Sequence, residues 1–507
     1  MNIQTRIFEE EVSCWLEPGG VVESLCGYRR ERSGVIRPGT VQDVQRVVCA
    51  AQRAAGAVKL QPISRGRNWG FGSDLAPEDG VYTLDLSRLD RIRTLDPEGH
   101  CVELEPGVTQ GQLYDALSDR GNSHYFNVTG AGLGASVVGN ALDRGIGYAG
   151  QRHLDLLDLE IVLPSGERTR SSRFGMGHAP CPYLGGLGPD PTGLFCHSNF
   201  AVITAATIAL HRRPEVLGGV LCGIAHPGHF SLLVTTVSEL IAEGACYGVP
   251  HIFNRERVAT TLAPHLGQAK ASGLASRVAP WTALIPVRGS RAVFAASAQE
   301  LENRLKRLGT TEIIGDRPEQ DSKVGDLLQG RPSDLALASV AFGAFGHSSP
   351  INMSPEASGA GLIHVTPVVA FRTRAVIEVE RLTNEILRRH GYGSVPLSLN
   401  ALSSRTAALI VSLGFDRRSP AKTAAARAAA DELLEAYIRH GLMPYRLGLD
   451  QADHLPQMDA PWPQIIRGIQ RTLDPHGSMA ASRYDSLWER KALINLTMPK
   501  THELCAA

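Results

Sequence analysis

Two glycine-broken stretches decide the reading of this chain: PISRGRNWGFG at residues 62–72 and NVTGAGLGASVVGNALDRGIGYAG at residues 127–150. Glycine lets a backbone approach a ligand closely and leaves amide N–H groups free to point at it, which is how a diphosphate is cradled. The first stretch also holds Asn68 and two arginines, Arg65 and Arg67, which either add charge to such a cradle or face solvent. That stretch is no Walker loop, because no GKS or GKT follows, and no dinucleotide fingerprint, because it lacks GxGxxG opening a helix. Taken singly, each stretch also fits a tight turn or close strand packing.

The flanks give strands and helices in alternation. A capping box, Thr40 with Asp43, opens a helix whose apolar residues recur at Val41, Val44, Val47, Val48 and Ala51. Strands are expected in KLQPIS and GVYTLDLS around the first glycine stretch, and in CVELEPG after it. A second capping box, Thr109 with Gln112, opens VTQGQLYDALSDRG, which Gly121 stops. LDLEIVLPSGERTR reads as a hairpin turning at PSG, and GLFCHSNFAVITAATIALHRRP closes the unit with a further strand. Pro214 and Gly218-Gly219 then mark a boundary. Beyond it come the strands TALIPV and VFAAS, the helix AQELENRLKRLG and the strand TEIIG. A second set runs GLIHVTPVVAF, RAVIEVERLTNEILRRHG, SVPLSLNAL, TAALIVSLGF and AKTAAARAAADELLEAYIRHG. Two such sets predict one antiparallel sheet covered by helices, a ferredoxin-like arrangement within an α+β fold. Residues 314–334 are polar enough for an exposed loop.

At 507 residues the chain exceeds the size at which single cores split, so two domains are expected. Its 51 basic and 51 acidic residues balance, which argues against nucleic acid or an anionic membrane as partner. Nine cysteines, at 14, 26, 49, 101, 181, 196, 222, 246 and 505, form no CxxC pair and signal neither zinc nor a disulfide framework. The opening MNIQTRIFEEEVSCW lacks a secretory pattern, and no apolar run approaches the ~20 residues that span a bilayer. A soluble cytoplasmic protein is expected. His197, His211, His226 and His229 lack metal-site spacing, so no metal is expected, and Asp143-Arg144 is expected to form a buried ion pair closing the second glycine stretch.

The order of these segments resembles the FAD-binding domain of the vanillyl-alcohol oxidase and p-cresol methylhydroxylase family. The matching segments are PISRGRNWGFG, GVYTLDLSRLDRI, VELEPGVTQGQLYDAL, GASVVGNALDRGIGY, DLEIVLPSGE and GLFCHSNFAVIT, then MPYRLGL and RTLDPHGSMAASRYDSLW near the other end. The resemblance implies an FAD domain at 1–213 completed by 443–507, with 214–442 as the substrate cap. It also implies a homodimer acting on a small molecule, with O2 or another electron acceptor.

Carried over by position, FAD contacts fall on Ser64, Arg65, Gly66, Arg67, Asn68, Gly70, Gly134, Ala135, Ser136, Gly139, Asn140, Gly147, Val202 or Ile203, and Arg483. Tyr445 and Arg446 match the family pair that binds a phenolic oxygen, where a phenolate would push a hydride from its para side chain to the flavin. In the wider flavoprotein group that the resemblance points to, glycine or proline beside the flavin admits oxygen and alanine blocks it; Gly130 occupies that place, so an oxidase is expected over a dehydrogenase. Three departures bear on the substrate. Phe71 replaces a second phenol-binding tyrosine, Ala131 aligns with an aspartate near the flavin, and Leu362 replaces the residue that links the flavin covalently, with His364 two positions on. FAD is therefore expected to be held without a covalent bond. Loss of two phenol-site groups keeps open an oxidase of a sugar, a hydroxy acid or a specialised-metabolite intermediate, and outside the enzymes a flavin-binding scaffold.

Overall fold

A computed structural model describes residues 2–172, 188–266, 278–315, 323–345, 355–455 and 461–485. Cys181, Cys505, residues 486–488 of the closing segment and residues 316–322 of the expected loop lie outside the described residues.

The N-terminal part builds two small sheets. β1 (Leu16–Glu23), β2 (Arg29–Ile36), β3 (Leu60–Ile63) and β4 (Val81–Asp85) lie in the order β1-β2-β4-β3, with β2 and β3 each parallel to β4. Parallel neighbours need a crossover. It is the helix Val41–Arg53, which starts on the Thr40–Asp43 capping box and buries the five apolar positions read from its period. β5 (Ile92–Asp96), β6 (Cys101–Leu104), β8 (Leu156–Val162), β9 (Arg168–Arg170) and β10 (Val202–Ala209) form an antiparallel sheet in the order β5-β6-β10-β8-β9. β7 (His124–Tyr125) and β11 (His211–Arg212) make a short pair beside it. The far end of the chain returns to the first sheet. Leu60 donates its N–H to the Ser478 carbonyl at 2.8 Å, and Ala480 donates to that of Leu60 at 2.9 Å.

The strands between residues 216 and 446 form one eight-stranded sheet. They are β12 (Val216–Ile224), β13 (His251–Asn254), β14 (Trp281–Gly289), β15 (Gly309–Ile314), β16 (Ala360–Ala370), β17 (Leu397–Ala401), β18 (Thr406–Asp416) and β19 (Pro444–Arg446). Their order is β15-β12-β14-β13-β17-β18-β16-β19 and every pairing is antiparallel. The α+β expectation and the helix-covered antiparallel sheet are both present. Successive strand residues face opposite sides of a sheet, and here the two sides do different work. Ile363 and Val365 of β16, Val411 and Leu413 of β18, and Leu397 and Leu399 of β17 enter a core covered by the helices Phe230–Ala242, Arg291–Leu305, Thr373–Arg389 and Pro420–Arg439. Their alternates, His364, Thr366, Ser412, Gly414, Ser398 and Asn400, line a cavity on the opposite side.

Three local expectations need correction. VFAAS is no strand: Ser290 caps the helix Arg291–Leu305, which absorbs it, because Phe294, Ala298, Leu301 and Leu305 repeat at helical spacing. Gly218 and Gly219, read with Pro214 as a boundary mark, form no break in the chain but lie inside β12, where a Cβ at Gly218 would meet the Ile314 carbonyl at 2.2 Å and one at Gly219 the Ile285 carbonyl at 2.6 Å. The stretch expected as an exposed loop carries a short helix, Lys323–Leu328, which buries Leu328 beside Leu284 and Ile314. A further helix, Leu335–Phe345, had no sequence reading and forms part of the cavity wall.

Because the close approach at Gly218 is to backbone, a methyl group there must push β15 away. Gly218→Ala should therefore lower stability by about 1–3 kcal/mol, read as a fall of several degrees in the thermal unfolding midpoint. An unchanged midpoint would mean that the strand contact at Gly218 is looser than described.

Candidate active site

A cleft opens between the first glycine loop and the start of the short helix Val137–Leu142. Its walls are β3 and the loop after it, from Gln61 to Asn68, with Ala135 to Asn140 opposite and Ala481 to Tyr484 closing one side. Local chemistry shapes these walls. Gly66 holds φ of +61° and Gly70 φ of +89°, the left-handed region that glycine enters without strain. Ser136 caps the short helix by accepting from the Gly139 N–H at 2.9 Å. Gly139 must stay small, since a Cβ there would meet Ser64 Oγ at 2.5 Å.

Of the residues expected to hold FAD, Ser64, Arg65, Gly66, Arg67, Asn68, Ala135, Ser136, Gly139, Asn140, Ile203 and Arg483 share this cleft. Others do not. Val202 is sealed into the core of the first sheet, because on β10 it points away from the face that Ile203 presents. Gly147 lies outside the cleft wall, and its smallness serves Asn127, whose Oδ1 would sit 2.1 Å from an added Cβ. Gly70 instead faces the ring of His364, Gly134 faces the guanidinium of Arg67, and Gly130 lines the second cavity described below. Arg65 reaches the cleft but spends its Nε–H on the Gly107 carbonyl at 2.8 Å.

That second cavity, about 420 Å³, lies between the glycine segment and the polar-lined side of the large sheet. Asn68 and Asn140 border both spaces, so the two adjoin. Tyr445 and Arg446 line the cavity, held by β19 pairing with β16 so that Arg446 stands opposite Thr366. Phe71 lines it too, with its ring centroid 5.3 Å from the Arg446 guanidinium carbon, and Ala131 faces the same space. Tyr445 donates its hydroxyl proton to the Arg144 carbonyl at 2.8 Å, and burial pushes that phenol up to about 12. A fixed donor of this kind offers a ligand mainly an acceptor oxygen. Leu362 packs with Leu25, Val340 and Ala341, and being aliphatic it can form no bond to a flavin. His364 sits in the cavity wall with Nδ1 3.1 Å from Ser412 Oγ. Burial first, and then the nearby cations Arg257 and Arg446, push it down to about 3, so it is neutral.

The two spaces are joined electrostatically by Asp143. It does not pair with Arg144, as its neighbour in sequence suggested. The Arg483 guanidinium donates to Asp143 Oδ1 at 2.6 Å, Arg446 lies 3.8 Å from Oδ2, and His197 Nε2 lies 3.5 Å from Oδ1. Arg144 takes a positive φ of +51° just past the end of the helix, where its carbonyl receives the Tyr445 proton. Burial alone would raise the Asp143 carboxyl, but Arg483 and then Arg446 hold it below the ordinary carboxylate range. His197, stacked on Tyr484 at 4.6 Å, is pushed down to about 3 chiefly by burial, against the pull of Asp143. Asp143 as a bridge, His197, Arg257 and Ser412 were all missed as site residues. Their only sequence signal was residue type, since the partners of Asp143 lie 303 and 340 positions away.

A family profile described as "FAD binding domain" matches residues 33–172. The 4-cresol dehydrogenase [hydroxylating] flavoprotein subunit of Pseudomonas putida is 24% identical over 89% of this chain and 87% of its own. The 1'-carboxy-chondrochloren decarboxylase of Chondromyces crocatus is 28% identical over 89% of this chain and 90% of its own. A crystal structure of p-cresol methylhydroxylase with substrate bound superposes at a TM-score of 0.79, covering 95% of this chain and 96% of that one, at 20% identity. The chain thus carries an FAD-binding domain and is similar over most of its length to flavoproteins of the p-cresol methylhydroxylase type.

The cleft of this flavoenzyme suits FAD on its own chemistry. Asn68 Nδ2 and Asn140 Oδ1 are buried there without a hydrogen-bond partner, a state that buried polar atoms rarely keep unless a ligand or water meets them. Ser64, Ser136 and Ser198 add hydroxyls, and Arg67 and Arg483 add charge. No helix among the described residues is long and apolar enough to cross a membrane.

Asp143→Asn should separate the bridge from mere packing. It leaves Arg446 and Arg483 buried without their counter-charge, an imbalance typically costing about 3–5 kcal/mol. A carboxyl depressed in the folded state stabilises above its unfolded pKa of about 3.9 and loses that effect as pH falls through the folded value. Thermal unfolding followed against pH should show the wild-type advantage in full above about pH 4 and fading below it. A constant gap between the two proteins at every pH would refute the charge bridge.

Proposed function

We propose that this flavoenzyme takes a hydride from the para side chain of a small 4-substituted phenol, or a related benzylic alcohol, bound in the second cavity. Arg446 carries the reading. It is a guanidinium only 8% exposed, with Nε unpartnered, in the wall of an otherwise largely apolar space. Ionising a phenol at neutral pH costs roughly 4 kcal/mol unless a fixed cation compensates. Arg446 and Arg483 share the single carboxylate of Asp143 and His197 is neutral, so the cluster has a positive charge to offer a phenolate. Phe71 gives Arg446 an aromatic face and gives the phenolic oxygen no donor. With the Tyr445 proton committed to Arg144, stabilisation of the phenolate falls chiefly on Arg446.

FAD, when bound, supplies the two-electron acceptor for the hydride, and Ser64 to Asn68, Ala135, Ser136, Gly139, Asn140, Ile203 and Arg483 are the residues that would hold it. We propose that residues 1–213 and 443–507 form that unit and 214–442 the substrate cover, a division supported by the pairing of Leu60 with Ser478 and Ala480. Reoxidation by O2 is supported by Gly130. It lines the cavity wall without a side chain, packed so closely that an added Cβ would meet Ala336 Cβ at 3.3 Å.

Replacing Arg446 with Gln should slow flavin reduction by a 4-alkylphenol on the order of a hundredfold or more, since a charge contact that strengthens in the transition state is worth about 3–4 kcal/mol. Tyr445→Phe should cost much less. Both variants should keep the bound-flavin spectrum. If stopped-flow reduction of Arg446→Gln matches the parent, the phenolate reading is wrong.

Leu362 lies where the family links its flavin, so we propose that the FAD is held without a covalent bond. Acid precipitation should leave the yellow colour in the supernatant. Colour retained in the pellet would overturn this, and would direct peptide mapping to His364, the nearest nucleophile on the same face of β16.

A further inference from the structure

Arg257 is the one guanidinium of the second cavity that the phenolate reading does not use. It lies on the helix Arg255–Leu266, whose first turn is pinned to the sheet by Asn254. The Asn254 Oδ1 accepts the Arg257 N–H at 2.9 Å and the Leu397 N–H at 2.9 Å, and Nδ2 donates to the Val395 carbonyl at 2.8 Å. The guanidinium is thereby aimed at the polar-lined side of the sheet, where it donates to Ser412 Oγ. Ser412 is in turn bonded to the neutral His364.

Nothing in this arrangement balances the charge. No carboxylate among the described residues pairs with Arg257, and its Nε is sealed from solvent without a partner. Other buried arginines of the protein are compensated differently. Arg483 has Asp143 at 2.6 Å, and Arg152 sits in solid packing with the Asn127 carbonyl at 2.6 Å and the Val137 carbonyl at 3.2 Å. Arg257 instead donates to one neutral hydroxyl, has the buried, neutral phenol of Tyr148 nearby, and faces an open cavity. Burial pushes its pKa down to about 10, which still leaves it charged at neutral pH. A buried cation without a counter-ion is costly, so a site that keeps one in a cavity wall is built to receive an anion. Two further cavity atoms, Thr366 Oγ1 and Asn400 Oδ1, are buried and unpartnered elsewhere in the same wall.

The sheet sets the spacing. Arg446 stands on β19 and Ser412, which anchors Arg257, on β18, with β16 between them. Two strand intervals, about 10 Å, combined with the two-residue offset between His364 and Thr366, about 7 Å, put these anchor points roughly 12 Å apart.

We propose that Arg257 binds a carboxylate at the far end of the substrate's para side chain, so that the protein selects acid-bearing phenols over neutral ones. This rests on the phenol reading for the other end of the molecule. Arg257 is a specificity-determining residue here and takes no part in moving the hydride. The fork of the guanidinium suits a carboxylate held through two parallel N–H···O contacts, which a lysine cannot reproduce in full.

Calorimetric titration of the FAD-loaded protein with three probes tests the proposal: 3-(4-hydroxyphenyl)propanoate, its amide, and 3-phenylpropanoate. The parent should bind the hydroxy acid at least tenfold more tightly than the amide. Arg257→Gln should bring the acid down to the amide while leaving amide binding within about twofold, and Arg257→Lys should restore part of the preference. Equal binding of acid and amide by the parent, or a preference that survives in Arg257→Gln, would overturn it, as would failure of all three to bind. The parent comparison needs no variant, so a poorly folded Arg257→Gln does not shield the idea. The third probe separates the two readings. If 3-phenylpropanoate binds as tightly as the hydroxy acid and loses that affinity in Arg257→Gln, the carboxylate site stands and the phenol reading fails. If the hydroxyl adds affinity that Arg446→Gln removes, both stand.

Discussion

The buried carboxylate of Asp143 is the constraint on which the rest of the site depends. It sits at the end of the short helix Val137–Leu142, and its cations arrive from far along the chain: Arg446 from the last strand of the large sheet and Arg483 from the C-terminal segment. A carboxylate out of water keeps its charge only if cations are held close to it. Satisfying Asp143 therefore requires the glycine segment, the large sheet and the returning C-terminus to meet at one point. That point is where the first cleft and the second cavity adjoin. The same requirement leaves the cluster with more positive than negative charge.

The large sheet solves a different problem, that of making a reactive surface on a well-packed element. Alternation gives each strand two jobs. Ile363, Val365, Val411 and Leu413 anchor β16 and β18 in a core covered by four helices, and the residues between them can then be polar without costing the sheet its packing. His364, Thr366, Ser412 and Asn400 are held by neighbours on the opposite side of their own backbone. Side chains mounted this way are placed more rigidly than side chains on loops, which matters where hydride transfer demands close geometry. Slipping the register of β16 by one residue would exchange the two faces entirely.

Substitution within a family site is easier to interpret once its neighbours are known. Phe71 removes a hydroxyl from the expected phenol site, yet its ring supports Arg446, so the position still serves the guanidinium. Leu362, where a flavin-linking residue was expected, is absorbed into an apolar cluster with Leu25, Val340 and Ala341. Tyr445 is retained, but its proton goes to the Arg144 carbonyl. In each case residue type alone suggested a gain or loss of one hydrogen bond, and the surroundings decided what that change was worth.

The sequence by itself determined the local grammar. Thr40–Asp43 and Thr109–Gln112 cap helices because the hydroxyl and the side chain three residues on satisfy each other within one turn, and both boxes form as read. The glycine stretches at 62–72 and 127–150 announced close backbone approach, and the strand–helix alternation announced an α+β fold, because those properties are set within a few residues. Only the tertiary structure decided what depends on distance through space. It placed Val202 in the core and Ile203 in the cleft, since a one-residue step along a strand reverses the face. It put Gly218 and Gly219 inside a strand, because the carbonyls that demand their smallness come from β14 and β15. It gave Asp143 to Arg483 instead of Arg144, and it left Arg257 facing a cavity without a carboxylate among the described residues. Charges so far apart in sequence become partners only when the fold removes the water between them, and no local pattern records which of them will meet.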